Sequence, residues 1–153
     1  MIAVSGVGVN IEREMEGLLY LTSSDFIAIA QMNSTARLRW NYVMGNENNR
    51  YEQMAIRIGL GLAGAVWRFG RAVHLDDSYS EADHARLNCP LMLAEHLKSA
   101  SAYPIMVNSL IKGVLYIGKR SSSPYMQDDL LIVAQKLPRI VTFIEENIVD
   151  MAK

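Results

Sequence analysis

The stretch IRIGLGLAGAVWRFGRAV, residues 56–73, contains four glycines in an otherwise mostly apolar segment. Three of them come just before or within the first turns of a predicted helix over residues 61–70, and the fourth, Gly70, suits a left-handed stop at its end. Glycine has no Cβ, so it tolerates positive φ and lets other atoms approach the main chain closely. We therefore interpret the stretch as a turn into a helix whose first amide groups are accessible to a small ligand.

Upstream of this stretch the pattern predicts a helix followed by strands. The helix spans residues 10–22 with Asn10 as its N-cap, and the strands span 25–32, 36–44 and 51–58. The second of these strands alternates strictly, which predicts that one face is buried. The residues predicted to share that face are Leu38, Trp40, Tyr42 and Met44.

Downstream, the pattern predicts a short strand over 71–75, an irregular or weakly helical segment over 76–99, and a hairpin of 101–108 and 111–119. A last helix is expected to begin with Pro124 at its first position, to be kinked or split by Pro138, and to run toward Lys153. This order predicts an α/β (α+β) fold, in which helices cover the faces of a mostly antiparallel sheet.

Composition narrows the class of protein. The chain has 153 residues, a formal net charge of −1 and scattered basic residues, which is unlike a nucleic-acid-binding surface. Cys89 is the only cysteine, so a disulfide within the chain is excluded. The N-terminus lacks the charge of a signal peptide, and no apolar run reaches the roughly 20 residues of a membrane span. We expect a cytoplasmic protein with no nucleic-acid or membrane partner.

Four segments match, in order, the recurring core of a known family: a glycine-rich turn entering a helix, a short strand ending in aspartate, a hairpin and a last helix. They are GLGLAG (59–64), FGRAVHLDD (69–77), AYPIMVNSLIKGVLYIGKR (102–120) and YMQDDLLIVAQKLPRIVTFIE (125–145). Through them the chain resembles the GAF domain family over nearly its whole length. The resemblance implies a single GAF domain over residues 1–153, with a central antiparallel sheet.

A narrower resemblance lies in RWNYVMGNENNRYEQMAIRIGLGLAG, residues 39–64. It is similar to the small nitrate-receptor GAF proteins that accompany a sensor histidine kinase and a response regulator. There, main-chain amides at the start of a helix hold nitrate beside a tryptophan, in a nearly closed cavity. The resemblance implies nitrate as ligand, no other cofactor, no metal and no catalytic residue. The ligand-binding residues it implies are Trp40, Gly61, Leu62, Ala63, Pro90 and Met92.

The variable segment departs from that family pattern. Pro90 and Met92 are expected to close the cavity, but the tyrosine expected shortly after the proline has no counterpart. Residues 91–93 are leucine, methionine and leucine instead. The resemblance therefore supports the start of the helix more strongly than it supports the residues that close the cavity.

The chemistry of these residue types suits a small anion. A helix N-terminus presents unpaired N–H groups and about half a positive charge, so it binds anions without an ionised side chain. Nitrate is flat, weakly basic and singly charged, so neutral donors suffice. Trp40 adds an indole N–H donor and a broad apolar wall. Exclusion of water strengthens each of these contacts.

The same residues also have purely structural interpretations. In that interpretation the glycine turn serves only to set the angle between strand and helix, and Trp40 on an alternating face is typical of a core residue. Trp67 lies inside the predicted helix and is interpreted as packing. Arg57 faces opposite Ile56 and Ile58, which favours a solvated strand position over a ligand contact.

An enzyme of the same fold is a second hypothesis, because free methionine-(R)-sulfoxide reductase is also a small GAF protein. Its chemistry needs one cysteine to attack and another to resolve the intermediate, whereas this chain has Cys89 alone. Bilin attachment at Cys89 would be accompanied by the usual Cys-His pair, and cyclic-nucleotide binding by an NKFDE-like set. Neither is found in the sequence.

The segment HLDDSYSEADH, residues 74–84, contains five histidine and aspartate residues that are potential metal ligands, without the compact spacing of a metal site. We interpret it as a solvated loop. The five residues are His74, Asp76, Asp77, Asp83 and His84.

A third hypothesis is a ligand-free docking or dimerisation module, in which the last helix packs on a partner or on a second copy of the chain. We favour the interpretation that its apolar residues cover the sheet. They are Leu130, Leu131, Val133, Leu137, Ile140, Val141 and Ile144.

Overall fold

The computed structural model describes residues 8–78 and 80–151. Most of the N-terminal segment considered as a signal peptide, and the predicted end of the last helix at Lys153, lie outside these residues. Within them, five strands form one antiparallel sheet in the order β2-β1-β5-β4-β3. The strands are β1 (Phe26–Met32), β2 (Leu38–Met44), β3 (Val73–Leu75), β4 (Ser99–Val107) and β5 (Leu110–Lys119).

Helices cover both faces of this sheet, which confirms the predicted α+β fold. They are α1 (Ile11–Leu21), α2 (Gly61–Phe69), α3 (Ala82–Arg86), α4 (Pro90–Glu95) and α5 (Gln127–Met151). The predicted weakly helical segment 76–99 thus contains two short helices. None of the helices described has both the length and the apolar character that crossing a bilayer requires.

Each face of the sheet has its own apolar core. On one face, buried side chains of α1 and α5, such as Leu18 and Ile140, pack against Ile27 and Ile29 of β1. On the other face, α2 and the segment after β3 pack against the remaining positions of β1 and β5. Alternate residues of the central strands β1 and β5 point to opposite faces, so both strands are apolar at most of their positions.

Three local features predicted from the sequence, a helix cap, a helix stop and a hairpin turn, are found in the structure. The Asn10 side chain accepts a hydrogen bond of 3.1 Å from the N–H of Arg13, as an N-cap does. Gly70 ends α2 with φ of 68°. Asn108 and Ser109, at the tip of the β4–β5 hairpin, both have positive φ, as a two-residue hairpin turn of type I′ requires.

The expected single buried face of β2 is wrong, because a β-bulge interrupts the strand. Ile29 pairs with Tyr42 and Ala30 pairs with Trp40, so Asn41 is an extra residue on β2. The bulge reverses the alternation. Trp40 therefore packs on the α2 face of the sheet, whereas Tyr42 packs on the α1–α5 face. Leu38 lies with Trp40, and Met44 lies with Tyr42.

The predicted strand over residues 51–58 is also wrong. The chain forms a 3₁₀ turn at Arg50–Gln53 and then pairs with β2 through a single isolated β-bridge between Arg39 and Ala55. The Asn48 side chain accepts a hydrogen bond from the N–H of Arg50, a local bond that competes with strand pairing. Ile58, expected in the core, is 55% exposed.

The last helix begins later than expected and is not split. It starts at Gln127, three residues beyond Pro124, and the Asp129 carboxylate accepts a hydrogen bond of 2.8 Å from the N–H of Met126. Pro138 lies inside the continuous helix. Most of the apolar residues of the helix cover the sheet, as favoured from the sequence, but Leu131 is 56% exposed.

Candidate functional site

A cavity of about 290 Å³ lies on the α2 face of the sheet. Its walls come from β2, from the segment before α2, from the first turn of α2, from the start of α4 and from β5. Most of the lining is apolar. The residues are Trp40, Met54, Ala55, Ile56, Arg57, Leu60, Gly61, Leu62, Ala63, Asn88, Cys89, Pro90, Leu91 and Tyr116.

Five of the six residues implied by the nitrate-receptor resemblance meet at this cavity. Trp40 comes from β2, Pro90 from the start of α4, and the other three from the first turn of α2. Met92 is not in the lining. It is 1% exposed and belongs to the core on that face of the sheet.

The first turn of α2 presents amide donors at the cavity, and that of Leu62 lies within hydrogen-bonding reach of the Cys89 thiol. Leu60 is the N-cap residue, and its side chain makes no capping hydrogen bond. The N–H groups of the first turn, from Gly61 to Ala63, therefore have no acceptor within the helix. No acidic side chain lies in this turn. The positive end of the α2 dipole thus faces an apolar cavity.

Two glycines allow the main chain to approach α2 closely. Gly61 has φ of 70°, and a Cβ there would lie 2.6 Å from the carbonyl oxygen of Asn88. A Cβ at Gly64 would collide with the carbonyl oxygen of Arg57. Both neighbouring segments line the cavity. These glycines therefore shape its walls through backbone packing, in addition to any access that they give to a ligand.

The β2 bulge determines where the Trp40 indole lies. Because the alternation reverses after Trp40, this side chain faces α2 rather than α5. It is buried, and its ring meets Tyr116 edge to face with centroids 5.3 Å apart. Trp40 is thus both a core residue and a wall of the cavity.

Tyr116 is a lining residue that no motif or pattern in the sequence indicated. It lies on β5, is 2% exposed, and within the described residues its hydroxyl has no hydrogen-bond partner. Complete burial raises the pKa of Tyr116 well above its ordinary value of 10.0, so the hydroxyl keeps its proton. The signal available in the sequence was a polar-tipped residue in a mostly apolar part of the predicted strand 111–119.

Solved structures similar to this chain include an NreA protein from Staphylococcus aureus, mutated in its nitrate binding site. It is 30% identical, with a TM-score of 0.66, and the match covers 76% of this chain and 90% of that one. The GAF domain of a phosphoenolpyruvate-protein phosphotransferase from Coxiella burnetii is 16% identical, with a TM-score of 0.75 and coverages of 97% and 90%.

The chain belongs to the GAF domain family. A type II free methionine-R-sulfoxide reductase from Thermoplasma acidophilum shares the fold at 13% identity, with a TM-score of 0.65 and coverages of 88% and 92%. No protein-family model and no curated protein matches the chain.

Cys89 of this GAF domain lies in the cavity wall as a protonated thiol. Its Sγ lies 3.6 Å from the carbonyl oxygen of Ala85, a weak hydrogen bond. Burial raises the pKa of Cys89, although the Leu62 amide and the charge of Arg86 oppose this shift. A thiol of raised pKa is a poor nucleophile at neutral pH.

The histidine and aspartate residues of segment 74–84 lie outside the cavity lining of the GAF domain. Asp77 and Asp83 form ion pairs with Arg86, whose guanidinium also donates to the carbonyl oxygen of Lys98. His74 is hydrogen-bonded to Ser101. Across residues 8–78 and 80–151, no three histidine, cysteine, aspartate or glutamate side chains are grouped closely enough to hold a metal ion.

Proposed function

We propose that this GAF protein is a cytoplasmic, non-catalytic sensor that binds nitrate or a similar small anion and modulates a sensor histidine kinase. The observation that supports it best is the uncapped first turn of α2 opening into a mostly apolar cavity beside Trp40. The similarity to an NreA protein, whose nitrate binding site was the object of mutation, supports the choice of anion.

Neutral donors in an apolar cavity select for a weakly hydrated, singly charged anion. The amides of Leu62 and Ala63 donate to it, and the α2 dipole offsets its charge. Phosphate and other multiply charged anions need cationic side chains, usually arginine, to offset desolvation. One of the lining residues is an arginine, Arg57, and it is exposed to solvent rather than buried in the cavity.

Signalling follows if the anion binds one conformation of the protein more tightly than another. An anion held by α2, Trp40 and the start of α4 links three segments that are separate in the sequence. Binding therefore favours the conformation in which these segments are close together. A kinase that prefers one of the two conformations then responds to the anion.

The reductase alternative is not supported by the site. Cys89 lies in the cavity with a raised pKa and is the only cysteine of the sequence, so a resolving thiol would have to come from another molecule. A ligand-free docking module remains the alternative against which the proposal is tested.

Isothermal titration of the purified protein with nitrate, nitrite, chloride and iodide tests the proposal. The ionic strength is held constant with a bulky organic salt, so that screening does not change between titrations. We expect saturable 1:1 binding of nitrate. If no anion of this panel binds and none raises the melting temperature, the sensor proposal is wrong and the docking module is favoured.

A further inference from the structure

The Tyr116 hydroxyl is a buried polar group whose hydrogen bond is not made within the described residues. The side chain is 2% exposed, and the hydroxyl oxygen is shielded from solvent without a partner. Most buried hydroxyls in folded proteins have a protein or water partner. An unpaired one therefore points to a ligand or a water molecule that completes the hydrogen bond.

Because of where Tyr116 lies, a hydrogen-bond partner for its hydroxyl would come from the cavity. Its ring is held edge to face by Trp40 at 5.3 Å and by Phe26 at 6.3 Å, so it cannot turn toward the solvent without disrupting the core. The side chain itself lines the cavity. The Cys89 thiol, another group of the cavity lining, donates its weak hydrogen bond to the carbonyl oxygen of Ala85.

We infer that the Tyr116 hydroxyl donates a hydrogen bond to the bound anion, and that this contact makes the cavity prefer an oxyanion to a halide. The inference rests on the proposed function. Tyr116 lies on β5 and the amide donors lie on α2, so the donors come from different walls. An anion with several oxygens can accept from both walls at once, each through a different atom, whereas a halide has a single centre.

The protonation state of Tyr116 agrees with a donor role. Burial holds the pKa of the phenol well above its ordinary value, so the hydroxyl is neutral at physiological pH. A neutral hydroxyl presents one O–H donor to an anion, whereas a phenolate would repel it. Among the lining residues, Tyr116 is thus a side-chain donor that adds no charge.

Tyr116→Phe removes this donor and keeps the ring. We expect the dissociation constant for nitrate to rise about tenfold, the effect of losing one hydrogen bond to a charged group. The dissociation constant for iodide should change by less than about twofold. Equal nitrate affinity in the parent chain and in Y116F would overturn the inference but leave the sensor proposal intact. Absence of anion binding in the parent chain would overturn both.

The melting temperature gives a second readout, because Y116F is expected to affect it differently with and without nitrate. Without anion, Y116F should be at least as stable as the parent chain, because the substitution removes an unpaired buried hydroxyl. In saturating nitrate it should melt at a lower temperature than the parent chain. A melting temperature in saturating nitrate equal to or above that of the parent chain would overturn the inference.

Tyr103→Phe is the matched control. Tyr103 is also buried, but its hydroxyl accepts a 2.8 Å hydrogen bond from Ser101 and its ring lies in the core on the other face of the sheet. We expect Y103F to lower the melting temperature with and without nitrate and to leave nitrate affinity unchanged. Loss of nitrate affinity in Y103F would show that removal of any buried phenol hydroxyl affects binding, and would overturn a specific role for Tyr116.

Discussion

Trp40 and Tyr116 meet edge to face across two strands that are not neighbours, with ring planes at 78° and centroids 5.3 Å apart. β1 lies between their strands in the sheet, so the contact is made by long side chains that reach across β1, where Ala30 pairs with Trp40 and Ala28 pairs with Tyr116. These two small residues on the same face leave room for the two rings. This pair forms the part of the cavity wall that faces α2.

Trp40→Phe should weaken nitrate binding about tenfold while the protein stays folded. Phenylalanine keeps an apolar ring in the wall but lacks the indole N–H, so one hydrogen bond to the anion is lost. Calorimetric titration measures the change. Trp67→Phe is the control, since Trp67 packs against the same core without lining the cavity. Unchanged nitrate affinity in W40F would show that the indole N–H does not contact the anion.

Gly61→Ala should destabilise the protein more than Gly70→Ala. Both glycines have positive φ, 70° and 68°, but only at Gly61 would a Cβ meet a backbone atom, the carbonyl oxygen of Asn88 at 2.6 Å. We expect a loss of about 1 kcal/mol at Gly70 from strain alone and of 2 kcal/mol or more at Gly61. Denaturant unfolding measures both losses. Equal losses would mean that the 88–91 segment moves away at no cost.

The element types were predictable wherever a local signal determined them. The Asn10 cap, the Gly70 stop and the Asn108–Ser109 turn each have a local physical cause, and each is found in the structure. The bulge at Asn41 was not predictable from the alternation, because a bulge adds a residue without altering the apolar pattern. Its effect is to place Trp40 and Tyr42 on opposite faces of the sheet.

The residues that line the cavity were predictable only where the family resemblance named them. Tyr116 and Cys89 are far from the glycine turn in the sequence, and their positions at the cavity depend on strand order and on the path of the segment after β3. Met92 was named by the resemblance but does not line the cavity. The short helix α4 places its side chain in the core, whereas Pro90 at the start of that helix lines the cavity.

Arg120→Ala should destabilise the protein by about 3 kcal/mol, because it leaves a buried carboxylate without its cation. Glu95 is 1% exposed and lies 2.7 Å from the Arg120 guanidinium. Glu95 also accepts the N–H of Glu47 at 2.8 Å, which ties the end of α4 to the turn after β2. Chemical denaturation measures the loss of unfolding free energy.

Arg139→Ala is a comparison for that ion pair, because Arg139 is more than half exposed although its partner Glu14 is 8% exposed. We expect a smaller loss of unfolding free energy there than at Arg120, because water screens the solvated guanidinium. Since α4 contributes Pro90 and Leu91 to the cavity, Arg120→Ala should also weaken nitrate binding, whereas Arg139→Ala should not. Equal effects of the two substitutions on nitrate affinity would show that the Arg120–Glu95 pair does not hold α4 at the cavity.

Alkylation of Cys89 by iodoacetamide should be slow at neutral pH and slower still in nitrate. Burial raises the pKa of the thiol above its ordinary value of 9.0. The reactive thiolate is therefore scarce at pH 7, and the rate should increase about tenfold per pH unit up to pH 9 without levelling off. Cys89 is the only cysteine, so mass spectrometry reports this site alone.

Because Sγ lies in the cavity wall, bound nitrate should reduce the rate of alkylation of Cys89 in proportion to occupancy, with sulfate as the control anion. A rate that levels off below pH 8 would contradict the raised pKa, and equal rates in nitrate and sulfate would place the anion away from the start of α4.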